Sequence, residues 1–78
     1  MPSLDETVVL SLRDDALERE GLSAEFALAR ISVAAGSPDA DYHRRVTDDI
    51  ELRLLRRIAE DYPPLARAVW SLIGHIGA

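Results

Sequence analysis

The 78-residue chain has no cysteine, which excludes disulfide staples, thiolate metal sites and a cysteine nucleophile. It also has no lysine: all nine basic residues are arginine, whose planar, multi-donor groups suit pairing with carboxylates. Glycine and proline number four each, too few for a low-complexity or linker-like segment. No apolar run approaches the roughly twenty residues of a membrane-spanning helix. The opening Met1-Pro2-Ser3-Leu4-Asp5-Glu6 lacks the basic-then-apolar pattern of a signal peptide, so a soluble, cytoplasmic protein is expected. What is present is 47% hydrophobic and 29% charged, the make-up of a packed globule, in a length suited to one domain over residues 1–78.

The start and stop signals predict an all-α chain of four helices. Ser3 and Glu6 have capping-box spacing, Leu4, Val8, Leu12 and Ala16 recur every fourth residue, Asp15 and Arg19 are an acid-first pair, and Gly21 offers a stop: a helix over Leu4 to Glu20. Ser23 is placed to cap a second helix, Ala24 to Ala35, which ends before Gly36. It is apolar around nearly its whole circumference and should therefore be central. Ser37-Pro38-Asp39 starts a third helix running to Asp61, with Tyr42, Val46, Ile50, Leu54, Ile58 and Tyr62 as its stripe, widened by Leu55 and Ala59. Asp41 with Arg45 and Asp49 with Arg53 are further acid-first pairs, and a fresh cap at Thr47-Asp48-Asp49 offers a break near Val46. Pro63-Pro64 ends this helix and opens a fourth, Pro64 to Ile76. The competing reading is a strand over Thr7 to Leu12, where β-branched residues and alternation at Val8, Leu10 and Leu12 are also present.

Little of this reads as catalytic or cofactor chemistry. The two histidines, His43 and His75, lie in no His-x-x-x-His or Glu-x-x-His pair, and Asp39, Asp41 and His43 are spread around a helix by their two-residue spacing, so no metal is expected. The carboxylate pairs Asp14-Asp15, Asp48-Asp49 and Glu60-Asp61 point about 100° apart on a helix and read as solvated faces. With no phosphate loop, dinucleotide fingerprint or nucleophile elbow, neither an enzyme nor a cofactor is expected.

Charge is more informative. The net charge of −5 argues against direct nucleic-acid binding, and the cluster Arg44, Arg45, Arg53, Arg56 and Arg57 is interleaved with acids. Met1 to Leu22 holds six acids and two arginines, or −4 of that total, whereas Pro63 to Ala78 has one arginine and no acid. This asymmetry points to a binding surface: Asp5, Asp14, Asp15 and Glu18 as an acidic face that steers a partner protein with a basic surface, and Val69, Trp70, Leu72 and Ile73 as a buried anchor or homodimer interface. In size and charge the chain resembles small acidic proteins of phages and mobile elements that block nucleic-acid-handling machines, including inhibitors of CRISPR effectors. That resemblance implies a regulator or inhibitor acting by protein–protein contact. The alternative rests on Thr7-Val8-Val9-Leu10-Ser11-Leu12 followed by Arg13-Asp14-Asp15. This stretch resembles the strand and helix start of ribbon-helix-helix proteins and implies an antitoxin-like, DNA-linked transcriptional regulator.

Overall fold

In a computed structural model, which describes residues 3–76, four helices follow one another: α1 (Leu4–Arg19), α2 (Ser23–Ala34), α3 (Ala40–Asp61) and α4 (Ala66–Ile73), the last preceded by a 3₁₀ turn at Pro63–Leu65. The chain is all-α, and residues 7–12, the candidate strand, lie inside α1.

Local chemistry explains the boundaries. At the start of α1 the Glu6 amide donates to Ser3 Oγ and the Ser3 amide donates to Glu6 Oε1, each at 3.1 Å, so two otherwise unpaired donors are satisfied reciprocally. α1 and α2 end in the same way. Gly21 and Gly36 take φ of +71° and +67°, and the residue after each glycine donates back five positions, Leu22 to the Leu17 carbonyl at 2.9 Å and Ser37 to the Ser32 carbonyl at 3.2 Å.

That tight first turn also shifts the start of α2. Leu22 leaves it already in helical conformation and accepts from the Phe26 amide at 2.9 Å, so the helix begins at Ser23, and Ser23 is not the cap the sequence suggests. Likewise Ser37 does not cap α3. Its hydroxyl donates to Asp39 Oδ1 at 2.9 Å while Ser37–Ala40 closes a separate turn, and the helix starts at Ala40 rather than Pro38. From there α3 is unbroken past Val46. The paired prolines tighten the next start into a 3₁₀ turn, Leu65 donating to the Tyr62 carbonyl at 2.8 Å. α4 is therefore shorter than expected, and Gly74 to Ile76 are hydrogen-bonded turns.

α3 is the centre of the packing and touches α1, α2, the 3₁₀ turn and α4. Two apolar clusters flank it. Leu55 and Ile58 meet Val9 of α1 and Ala68 and Val69 of α4, while Leu54 meets Leu17 of α1 and Phe26 of α2. The inward face of α1 is thus Val9, Leu12, Ala16 and Leu17, turned from the expected stripe, so that Leu4 and Val8 face solvent. The Tyr42 and Tyr62 ends of the α3 stripe are also exposed. α2 is the larger correction. It packs on α3 and α1 but not α4, and buries only Phe26 and Ala29 fully, so it is peripheral.

Candidate functional site

Three of the four acids assigned to the α1 face share its solvent side. At 100° per residue Asp14, Glu18 and Asp15 fall within a 100° arc of the helix, opposite buried Val9, while Asp5 projects about 180° from Asp14 and does not join them. Asp14 is partly neutralised by Arg13, whose Nη2 lies 2.9 Å from its Oδ1. Asp15 makes no ion pair among the described residues, and the expected Asp15–Arg19 bridge is absent there.

The expected α4 anchor divides differently. Val69 is wholly buried and Leu72 and Ile73 pack against the same core cluster, so these three hold α4 onto α1 and α3. Trp70 is 57% exposed, so it is not part of a buried anchor within the chain; of the two expected roles only a place at an interface between copies would enclose it.

The apolar surface that sequence reasoning missed is on α2. Leu22, Phe26, Ala29 and Val33 turn inward; Ala24, Ala27, Leu28, Ile31, Ala34 and Ala35 form the opposite face and all are exposed, Leu28 by 65% and Ile31 by 63%. No charged residue interrupts this strip, because Glu25 and Arg30 lie at its two edges. The signal was present in the even spread of apolar residues around α2: a helix apolar all round must expose half of them unless it is enclosed on every side.

A cleft opens at the Arg30 edge of α2, between α2, α3 and the turn that follows α4. Its main chamber, about 570 Å³, is lined by Phe26, Arg30, Val33 and, at the border with the outer face, Ala34 of α2, by Arg44, Thr47, Asp48 and Glu51 of α3, and by His75 and Ile76. A second hollow of about 360 Å³ continues from Arg30, Glu51, His75 and Ile76 to Leu10, Arg13, Leu55 and Leu72. Arg13 and Glu51 form an ion pair at the floor, their side chains only 11% and 19% exposed. The Phe26 ring lies within cation–π range of two guanidinium groups, Arg13 at 5.7 Å and Arg30 at 5.6 Å.

Comparison with protein families, curated proteins and solved structures finds no match. The surfaces therefore carry the functional argument by themselves.

Some of the remaining polar groups are paired. Arg53 bonds Glu20 at 3.0 Å, not Asp49, and Arg44 reaches Asp41 at 3.7 Å, displacing the expected Asp41–Arg45 bridge. His43 Nε2 lies 3.0 Å from Asp39 Oδ2 while Asp41 turns toward Arg44, so Asp39, Asp41 and His43 do not converge. Among the described residues no group of three or more His, Asp or Glu side chains is placed to hold a metal ion, and no helix is long and apolar enough to cross a membrane. Two carboxyls are shifted. Glu6 is held below its ordinary pKa by the amide and then the hydroxyl of Ser3, and Asp39 is lowered first by the Ser37 hydroxyl. Both belong to helix starts and lie outside the cleft.

Proposed function

We propose that the chain is a non-enzymatic protein-binding module whose partner presents an apolar patch bordered by basic residues. The observation that carries this reading is the outer face of α2, a charge-free strip centred on Leu28 and Ile31 that none of the described residues covers. The solvent face of α1, with Asp14, Asp15 and Glu18, supports a basic border on the partner, since Asp15 and Glu18 make no ion pair among the described residues and leave net negative charge on the helix packed beside α2. Apolar burial then supplies affinity and the acids supply steering. A regulator or inhibitor of a nucleic-acid-handling protein, cytoplasmic and without a cofactor, fits this division of labour, because such targets carry basic surfaces. The ribbon-helix-helix alternative lacks its strand, since Thr7 to Leu12 are helical.

The test is capture of a partner from the native host, its identification, and binding kinetics with that purified partner. Reversal of Asp14, Asp15 and Glu18 to Arg is expected to slow association by about tenfold at low salt. Leu28→Glu with Ile31→Glu is expected to speed dissociation. A purified partner that binds both variants as it binds the wild type overturns the proposal, and a homodimer formed through the same face would appear as a doubled mass in light scattering that the Leu28/Ile31 variant abolishes.

A further inference from the structure

The cleft beside α2 has a feature that the docking surfaces do not use: two charges of opposite sign, neither in an ion pair among the described residues, on a wall of mixed polar and apolar side chains. Arg30 makes no ion pair among the described residues and is held against the cleft by the Phe26 ring, 5.6 Å from its guanidinium carbon. Asp48 lines the same chamber from α3, is half-buried, and likewise makes no ion pair among the described residues. His75 lines the chamber as well, and three further charges there are engaged. Arg13 and Glu51 neutralise one another at the floor, and Arg44 leans toward Asp41 at 3.7 Å. Phe26, Val33 and Ile76 supply apolar wall, continued inward by Leu10, Leu55 and Leu72. A chamber of about 570 Å³ is within the range of small-molecule sites.

From this placement we infer that the cleft binds a small zwitterion with an apolar body, of the class of apolar α-amino acids, its carboxylate toward Arg30, its ammonium toward Asp48 and its side chain against Phe26, Val33 and Ile76. A simple organic anion satisfies Arg30 but brings a second negative charge to Asp48, and a simple amine does the reverse at Arg30. A ligand carrying both charges pairs both residues and opposes neither. A guanidinium already fixed by an aromatic face loses little side-chain freedom on accepting a carboxylate, which favours Arg30 as the anchor. The cleft is open to solvent, so binding in the millimolar range is expected, about 4 kcal/mol in free energy.

Three probes with one ring and different charges test the inference: L-phenylalanine, phenylacetate and phenethylamine, each titrated into isotope-labelled protein while amide resonances are followed. L-phenylalanine is expected to shift the amides of Phe26, Arg30, Thr47, Asp48 and Ile76 saturably and to bind at least fivefold tighter than either singly charged probe. Arg30→Gln is expected to weaken L-phenylalanine severalfold and leave phenethylamine no weaker. Asp48→Asn is expected to weaken L-phenylalanine and leave phenylacetate no weaker. Arg45→Gln, exposed and outside the cleft, is the control and changes nothing. No saturable shift with L-phenylalanine, equal binding of the three probes, or equal losses in the control overturns the inference. Neither Leu28 nor Ile31 lines the cleft, so failure here is separable from failure of the docking proposal.

Discussion

α2 and α3 invert the simple relation between composition and position. α2 has two charged residues in twelve, Glu25 and Arg30, yet lies at the edge; half of α3's twenty-two residues are charged, yet it is the element every other helix packs on. The difference is phase. In α3 the apolar residues recur in one stripe, so Leu54, Leu55 and Ile58 reach the core together while the arginines and acids line the remaining circumference. In α2 the same residue types are spread around the axis, and one neighbouring helix face can cover only half of them. Burial in a small helical protein follows the coherence of the apolar pattern, and apolar content out of phase is left over as surface. On α2 that surplus is concentrated enough to serve as a docking face.

The sharpest way to break the comparison is to cut one side chain from the α3 stripe. Leu55→Ala, at a position 1% exposed, is expected to cost about 3 kcal/mol in urea unfolding, from lost transfer energy and the cavity left behind. Next comes the ion pair that fastens α1 to α3 at the cleft floor. Arg13→Met leaves Glu51 without its counter-charge and is expected to cost about 2 kcal/mol, less than a fully buried pair because Glu51 retains some access to water; adding Glu51→Leu is expected to recover most of the loss. Trp70→Ala, which an enclosed tryptophan would make as costly as any core truncation, is expected to cost only about 1 kcal/mol because more than half of the ring side already faces water. Iodide should quench its fluorescence readily.

The smallest effect expected is on pH dependence. Glu6 is held below its ordinary pKa by the Ser3 amide and hydroxyl, so the stabilisation is complete above the ordinary glutamate value of 4.5 and is lost as pH falls through the lowered folded value. Ser3→Ala, which removes the hydroxyl half of the capping box, is expected to flatten the acid side of the stability profile, measured by thermal unfolding between pH 6 and pH 3. An acid limb identical in the two proteins would assign that slope to other carboxyls.

Most of the architecture was legible because its punctuation is strong and local. The Ser3/Glu6 box, the two glycine stops and the double proline each act within a few residues, and all four helices fall between them. What was not legible depends on neighbours. Ser23 and Ser37 look like caps, but the turn after Gly21 and the Ser37–Asp39 contact settle those starts first. The i, i+4 rule paired Asp49 with Arg53, whereas Glu20, distant in sequence, takes that guanidinium. Leu4, Val8, Leu12 and Ala16 are a fair stripe on α1, but once the helix is docked Val9 faces α3 and α4 and Leu17 faces α2 and α3. The acidic face of Asp14, Asp15 and Glu18 could be read from composition and helical spacing alone. The cleft could not, since it joins residues of α1, α2, α3 and the C-terminal turn through tertiary contacts.

The central claim, that the apolar outer half of α2 belongs to the surface of the folded chain and not to its core, is tested most directly by the urea unfolding of Leu28→Glu combined with Ile31→Glu. Both side chains already face water and glutamate is a good helix former, so the double variant is expected to keep its helical content and to unfold within about 1 kcal/mol of the wild type. A loss as large as that of Leu55→Ala, about 3 kcal/mol, would place Leu28 and Ile31 inside the core and contradict the account.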